Sequence, residues 1–174
     1  TLIPDLKLGI VVLTNQQSGA AFSTITNSVK DAYLGVENRD WLKLYGDRNK
    51  KNEETFAKQK KEVYDKASKY KSDLKDDQFI GWYKDDWFGI VEVSKQGKGY
   101  RIISKSSPRL KGDLIPYSAN SFVAKWDDRS YDADAFFILN FDENGKAISA
   151  KMKPISDVTD FSFDFEDLDL KKIN

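Results

Sequence analysis

Serine and lysine side chains occur twice at a spacing that can support nucleophilic catalysis. Ser68 with Lys71, and Ser72 with Lys75, form two Ser-x-x-Lys patterns, in which a lysine amine can take the proton of the serine hydroxyl. Both pairs lie at the lysine-rich end of a predicted helix, where the side chains stay solvated and no base is held beside the hydroxyl. We therefore expect neither serine to act as a nucleophile.

The amino-acid composition excludes further kinds of reactive site. The 174 residues include no histidine and no cysteine. The chain thus lacks the usual general base near neutral pH, the commonest metal ligand, any disulfide and a thiolate nucleophile. We expect no catalytic residue, no cofactor and no metal site.

Two acidic segments offer oxygen ligands of the kind that Ca²⁺ prefers. The larger group consists of Asp127, Asp128, Asp132 and Asp134. Its spacing lacks the regular alternation and the turn glycine of a calcium-binding loop, which favours solvated loop carboxylates. Residues 142–145, with the sequence Asp-Glu-Asn-Gly, are explained by a hairpin turn, because Asn-Gly is the strongest short hairpin signal.

Five aromatic residues of the C-terminal half are candidates for a ligand-facing surface. They are Trp82, Tyr83, Trp87, Tyr100 and Trp126. If these rings line the mouth of a small barrel, they can stack on a sugar or a peptide. Aromatic residues of small barrels more often belong to the core, and the sequence leaves both interpretations open.

The elements that would position these residues are short strands. After Leu74, turn residues recur every eight to twelve positions, which indicates an antiparallel barrel or sandwich. The predicted strands are Phe79–Tyr83, Phe88–Lys95, Tyr100–Ser104, Leu114–Tyr117, Ser121–Trp126, Ala135–Phe141, Ala147–Lys153 and Phe161–Glu166. Eight consecutive strands close most simply as an up-and-down barrel, which is either filled by side chains or holds one small ligand.

Alternation of apolar and polar residues predicts which faces of these strands are buried. In the last strand, Phe161, Phe163 and Phe165 alternate with Ser162, Asp164 and Glu166. In the seventh strand, we expect Ile148, Ala150 and Met152 to point inward. The sixth strand is apolar on both faces, so we expect one face, that of Phe136 and Ile138 or its opposite, to meet helices.

The chain before the barrel is predicted to form a strand followed by a helix. Leu8–Leu13 is a continuous apolar run, typical of a strand that is buried on both faces. The helix begins after Ser18, a good N-cap residue, and ends at Gly35. A strand buried on both faces needs sheet neighbours, which either the barrel or a larger domain must supply.

A helical connector is predicted between this helix and the barrel. Asn38 caps a short turn that Gly46 interrupts, and Asn52 begins a second helix. The lysines of that helix are interspersed with acids, and the chain has 28 basic and 28 acidic residues. We therefore expect no binding to nucleic acid. The longest apolar run, Leu8–Leu13, is too short to cross a membrane.

Residues 3–16, Ile-Pro-Asp-Leu-Lys-Leu-Gly-Ile-Val-Val-Leu-Thr-Asn-Gln, resemble a segment of serine hydrolases related to class C β-lactamases and penicillin-binding proteins. In that family, a strand that starts with proline and ends in Leu-Thr-Asn precedes the final helix of the catalytic domain. Residues 18–34 match that helix in position and length. The family's Tyr-x-Asn, Lys-Thr-Gly and His-x-Gly motifs are absent from this chain.

The remainder of the chain resembles a lipocalin-like module of unknown function that is often appended to these hydrolases. The residues that carry this resemblance are Trp41-Leu42, Gly81-Trp82-Tyr83, Trp87-Phe88-Gly89 and the segment 161–168. The resemblance implies an α+β, mainly β fold in three parts. Residues 1–36 would be the terminal strand and helix of a transpeptidase-like domain, 37–75 a helical connector, and 76–174 an eight-stranded antiparallel barrel.

The resemblance also implies a function, which we state as an expectation. The chain would be a non-catalytic accessory module of a serine hydrolase that packs on the catalytic domain, shapes substrate access or mediates self-association. Its parent would be periplasmic or secreted. The alternative is an independent barrel that binds a small ligand or a carbohydrate. In the isolated chain, we expect residues 1–35 either to fold against the barrel or to pair with a second copy.

Overall fold

The computed structural model describes residues 1–15, 18–37, 39–157, 159, 163 and 165–173. The chain divides into two compact units, Thr1–Thr55 and Phe56–Asn174, here called the N-terminal unit and the barrel unit. Helix α2 (Trp41–Lys69) contributes its first half to one unit and its second half to the other. None of the helices within the described ranges is long and apolar enough to cross a membrane.

The N-terminal unit begins with a short hairpin of β1 (Leu2–Ile3) and β2 (Leu8–Gly9). The prediction of a strand over Leu8–Leu13 is therefore wrong beyond Gly9. Val11 and Leu13 are 83% and 90% exposed. The partner strand β1 has only two residues, so it can pair with only the start of this apolar run. Within the described part of the N-terminal unit, the residues after the start of the run form no ladder of strand hydrogen bonds.

Helix α1 (Gly19–Leu34) follows, with Ser18 at its N-cap position. Gly35 ends the helix with φ of 63°, a left-handed conformation that favours glycine, and its N–H donates to the carbonyl oxygen of Asp31. Both ends of this helix were predicted from the sequence and are confirmed. Its packing is unusual, because none of its residues is buried.

Helix α2 is continuous, so the predicted interruption at Gly46 and the predicted start at Asn52 are wrong. A single glycine costs a helix only about 1 kcal/mol, which packing can offset. Near the start of α2, Trp41 donates a hydrogen bond from its indole Nε1 to the Asp31 carboxylate at 2.7 Å. The indole ring of Trp41 also stacks on the Tyr45 ring. The predicted cap residue Asn38 lies outside the described residues.

The barrel unit contains a closed antiparallel barrel of eight strands, which confirms the predicted α+β, mainly β fold. A one-turn helix, α3 (Asp76–Phe79), precedes the first strand. The strands are β3 (Gly81–Asp85), β4 (Gly89–Gln96), β5 (Gly99–Ser104), β6 (Lys111–Ser118), β7 (Ser121–Trp126), β8 (Ala135–Phe141), β9 (Ala147–Pro154) and β10 (Leu170–Lys172). Each strand pairs with its sequence neighbour, and β10 closes the barrel between β9 and β3.

The strand that closes the barrel is β10 and not the predicted segment Phe161–Glu166. Within that segment, residues 161, 162 and 164 lie outside the described residues. Phe165 begins a 3₁₀ turn that ends at Asp167, and its ring is buried against Trp126. Because Phe165 fills the end of the barrel instead of joining a ladder, the pairing strand begins later along the chain.

A β-bulge overturns the prediction for one side chain of β9. The register shifts where Phe141 pairs with Ala147, so that Ile148 is an extra residue on its strand. Ile148 is consequently 53% exposed, although it was predicted to face inward with Ala150 and Met152. Those two residues are buried as predicted.

Large side chains fill the barrel interior. The fully buried ones are Phe79, Tyr83, Ile102, Leu114, Phe122, Phe137, Leu139, Phe165, Leu168 and Leu170, together with Val91 and Val93. Phe79 enters from α3 and packs on Phe122 and Tyr100. Close strand packing requires glycine at Gly112, where a Cβ atom would overlap the Lys125 carbonyl group. The core side chains of the described residues thus occupy the barrel interior.

Candidate functional site

The five aromatic residues predicted as ligand-facing do not come together in one place. Tyr83 and Trp126 are buried, and each donates a hydrogen bond to a backbone carbonyl oxygen, at 2.6 Å and 2.7 Å respectively. Tyr100 is partly buried and its hydroxyl donates to a carboxylate of α3 at 2.9 Å. Trp82 and Trp87 are 42% and 71% exposed. The structure therefore divides this set between the core and the surface.

A different group of residues forms an open groove at one end of the barrel. The β5–β6 loop and the β7–β8 loop meet there, and the groove measures about 360 Å³. Its lining consists of Ser107, Pro108, Arg109, Leu110, Tyr131 and Phe163. A groove of this size and apolar character can accept a small flat ligand or a single side chain.

Two aromatic rings and a guanidinium group determine the chemistry of the groove. The rings of Tyr131 and Phe163 meet edge to face, with centroids 5.6 Å apart. The guanidinium carbon of Arg109 lies 5.0 Å from the Tyr131 centroid, a cation–π distance. Arg109 also donates to the Asp128 carboxylate at 2.6 Å. The ring faces can stack on a ligand, and the guanidinium N–H groups can donate to its oxygen atoms.

The groove was not predicted from the sequence. Phe163 was interpreted as part of an alternating strand, and Arg109 occurs in a turn without any local pattern. The groove forms because the loops before β6 and before β8 lie at the same end of an antiparallel barrel. That adjacency depends on the closed topology, and no residue spacing within either loop indicates it.

The aspartates of the β7–β8 loop are each paired with a cation. Their partners are Arg101 for Asp127, Arg109 for Asp128, Lys60 for Asp132 and Arg129 for Asp134. Hydrogen bonds from Ser130 and Arg109 lower the pKa of Asp128 to about 2. Among the described residues, these aspartates and the other acids form no group of three or more metal-ligating side chains.

Asp134 is the buried centre of this loop, with 3% of its surface exposed. Its carboxylate accepts two hydrogen bonds from Arg129, at 2.8 and 2.7 Å, and one from the Trp126 amide at 3.0 Å. The Tyr64 hydroxyl of α2 donates a fourth. Burial alone would raise the pKa of Asp134, but these donors outweigh it, so that the pKa is lowered. Burial and the same hydrogen bond raise the pKa of Tyr64 well above its usual value.

The second half of α2 covers one outer wall of the barrel around this ion pair. Ala67 is buried against Val123 and Ile155, with Val63 and Phe136 beside them. This contact confirms that one apolar face of β8, that of Phe136, meets a helix. Lys66 extends over the Tyr117 ring at 4.0 Å, and Lys125 over the Tyr64 ring at 5.5 Å. The helix segment from residue 56 onward is thus an integral part of the barrel unit.

The two Ser-x-x-Lys serines are engaged by nearby backbone groups. The Ser68 hydroxyl donates to the carbonyl oxygen of Asp65 at 2.9 Å. The Ser72 hydroxyl accepts from the Leu74 amide at 3.2 Å. Each serine therefore makes a local bond of the kind that is common at the ends of helices and in turns.

The N-terminal unit presents a second candidate surface, which is apolar and exposed. On α1, Phe22, Ile25 and Tyr33 are 46%, 48% and 62% exposed, respectively. Leu42 and Leu44 at the start of α2 are 74% and 57% exposed. Large apolar side chains at these exposures in one short unit are typical of a surface that another protein segment covers.

Comparison with protein families gives one finding for the barrel unit. A family model matches residues 65–172, more than half of the chain, and that family is described as a domain of unknown function (DUF3471). Comparison with curated proteins and with solved structures gave no match. The family match covers the end of α2, α3 and all eight strands of the barrel.

Proposed function

We propose that this chain, which belongs to the family described as a domain of unknown function (DUF3471), is a non-catalytic accessory module of a β-lactamase-related serine hydrolase. Its role is to dock on the catalytic domain of that hydrolase through the N-terminal unit. The barrel unit then lies close to the catalytic domain, where it limits substrate access or mediates self-association. The parent hydrolase is periplasmic or secreted.

The observation that carries this proposal is the exposed apolar surface of α1. A 16-residue helix with phenylalanine, isoleucine and tyrosine on its surface normally buries an apolar face, because burial of such side chains is its main source of stability. In α1, all of whose residues are described, no side chain is buried. The apolar run that continues from β2 is equally uncovered at Val11 and Leu13. Both segments lie within the region that resembles the end of a hydrolase domain.

The barrel unit supports an accessory role through its packing. Its interior is filled by large side chains, which favours a scaffold over a carrier that encloses a ligand. The four aspartates of the β7–β8 loop are paired with cations, so their charges stabilise the fold and do not define an acid–base pair. A module of this kind acts through its outer surface.

The proposal predicts that the coding sequence upstream of Thr1 encodes Ser-x-x-Lys and Tyr-x-Asn motifs in the same reading frame. The domain that carries these motifs, produced separately, is expected to bind this chain in a calorimetric titration. The double substitution Phe22→Ser with Ile25→Ser removes buried apolar area at the proposed contact. It should weaken binding at least about tenfold, since each buried apolar side chain contributes about 1.5–3 kcal/mol.

Trp87→Ser is the matched control for this experiment. It removes an aromatic side chain that is 71% exposed on the barrel, far in sequence from α1. Binding should be unchanged in this variant. Equal weakening by both variants, or the lack of any hydrolase motif upstream, would contradict the proposal. Hydrolysis of a chromogenic β-lactam by this chain alone would contradict the non-catalytic assignment.

The groove between the β5–β6 and β7–β8 loops favours a second candidate function, the binding of a small ligand or carbohydrate. Its two rings and its guanidinium group are the features that support this alternative. Titration of the ¹⁵N-labelled chain with mono- and disaccharides should then shift amide signals around Tyr131 and Arg109. Tyr131→Ala should abolish those shifts, whereas Tyr33→Ala should not. An absence of shifts at millimolar sugar would exclude carbohydrate binding at this groove.

A further inference from the structure

The outer wall of the barrel formed by β9, β10 and β3 carries an excess of positive charge. This surface, here called the basic wall, consists of the outward-facing strand residues Ser149, Lys151, Lys153, Lys171, Trp82 and Lys84, together with Ile173, which follows β10. The lysines among them are exposed, and none of these positions holds an acid. The chain as a whole has no net charge, so the excess is local to this wall.

The register of the strands places two of these lysines directly opposite each other. Lys171 of β10 pairs with Lys84 of β3, and on its other side it pairs with Ser149 of β9. Directly opposed residues of antiparallel strands have Cα atoms roughly 5 Å apart, and like charges at such positions destabilise a sheet. An anionic group that lies between the two ammonium groups would relieve this repulsion.

The carboxylates nearest to these lysines neutralise them only weakly. The closest pairs are Lys171 with Asp169 at 3.5 Å and Lys84 with Asp86 at 3.9 Å. In both pairs the side chains are more than half exposed, so solvent screens the attraction. The Asp86 carboxylate is fully exposed at the tip of the β3–β4 turn. The basic wall therefore retains much of its charge.

Apolar side chains lie among and beside the lysines. Trp82 is 42% exposed, and Ile173, whose amide donates to the Trp82 carbonyl oxygen at 2.8 Å, is 51% exposed. Ile148, displaced outward by the β-bulge, is 53% exposed on the neighbouring strand. A surface that combines exposed tryptophan and isoleucine with weakly neutralised lysines is complementary to a partner with both apolar and acidic side chains.

We propose that the basic wall is a docking surface for a protein segment in which carboxylates alternate with apolar side chains. A second copy of this chain is a poorer occupant, because the acids of its β7–β8 loop are paired with their own cations. A membrane is also a poorer occupant. The wall of a closed barrel is convex and meets a flat bilayer along a narrow line, whereas an extended peptide can follow its curvature.

The test is a titration of the complete ¹⁵N-labelled chain with a synthetic peptide of alternating glutamate and leucine residues. Amide signals of β9, β10 and β3 should shift, and the affinity should fall as salt is raised. A peptide with lysine in place of glutamate should not bind. The double substitution Lys84→Glu with Lys171→Glu should weaken binding of the glutamate peptide about tenfold, because two favourable charge pairs become repulsive.

The matched control is Lys58→Glu with Lys98→Glu, which makes the same change in net charge at two exposed lysines away from the basic wall. It should alter the affinity by less than about twofold. Circular dichroism reports whether each variant is folded. If Lys84→Glu with Lys171→Glu does not fold, the double variant Lys84→Gln with Lys171→Gln is used in its place. Equal weakening by the control, or shifts spread evenly over all lysines, would overturn the proposal. So would binding to phosphatidylglycerol vesicles in the absence of peptide binding.

Discussion

The buried carboxylate of Asp134 holds α2 and the β7–β8 loop together, and its replacement should destabilise the barrel unit by about 2–3 kcal/mol. Asp134→Asn keeps the shape of the side chain but removes its charge and one acceptor. Breaking a buried ion pair costs about 3–5 kcal/mol when the remaining charge stays buried. Here the Arg129 side chain is 51% exposed and can be rehydrated, which lowers the expected cost.

Tyr64→Phe tests the same contact from the helix side. It removes one hydrogen bond to a charged group, a contact that contributes about 1.5–3 kcal/mol. The other three donors to Asp134 remain, so we expect a loss near the lower end, about 1.5 kcal/mol. Tyr33→Phe is the matched control, because that side chain is 62% exposed on α1 and its hydroxyl should contribute almost nothing.

Urea unfolding followed by tryptophan fluorescence measures these differences, because Trp126 is buried beside Asp134. The slope of the free energy against urea should be equal in all variants, so that the midpoint shift reports stability. A cost of less than about 0.5 kcal/mol for Asp134→Asn would show that this carboxylate does not hold α2 to the β7–β8 loop. Equal effects of Tyr33→Phe and Tyr64→Phe would contradict the contribution of the Tyr64 hydrogen bond.

Three further predictions concern the barrel. The folded state lowers the pKa of Asp134 and of Asp85, so each ionised carboxylate stabilises the folded protein. This stabilisation is complete above the pKa of the unfolded chain, about 4. It is lost as the pH falls through the lower pKa of the folded state. The stability difference between the wild type and Asp134→Asn should therefore shrink below about pH 4 in urea titrations. Asp85→Asn should cost about 2 kcal/mol, because the carboxylate accepts the Trp87 and Phe88 amides of the β3–β4 turn and the Asp169 amide at 2.8 Å. Hydrogen exchange in β10 should rise in this variant, and unchanged exchange there would contradict the prediction. Gly112→Ala should lower the melting temperature by more than about 5 °C, because the added Cβ atom would push β6 away from Lys125 of β7. Gly97→Ala is the control. Gly97 has φ of 59° and open space around it, so alanine there should cost only about 1 kcal/mol of backbone strain.

Most barrel strands were predictable because their signals are local. The glycines of the β4–β5 turn and the Asn144-Gly145 turn lie at hairpin tips, and Gly97 and Gly145 have positive φ values of 59° and 71°. β7 and β8 have the predicted bounds, Ser121–Trp126 and Ala135–Phe141. At these positions the sequence signal and the structure agree, because no long-range contact favours a different backbone conformation.

The errors arose where distant contacts outweigh the local pattern. The alternating phenylalanines before Phe165 indicated a strand, but the burial of Phe165 against Trp126 favours a turn. Gly46 indicated a helix break, but α2 continues through it, because a single glycine costs a helix only about 1 kcal/mol. The groove beside Tyr131 and the opposed lysines of the basic wall depend on strand order and register, which no single stretch of sequence contains.

Activity-based labelling tests directly the proposal that this polypeptide works as part of a serine hydrolase. Native extracts should be labelled with a serine-reactive fluorophosphonate probe and then captured with an antibody against the barrel unit. We expect one labelled polypeptide that is much larger than the 19.9 kDa of this chain. Capture of an unlabelled polypeptide of 19.9 kDa would contradict the claim.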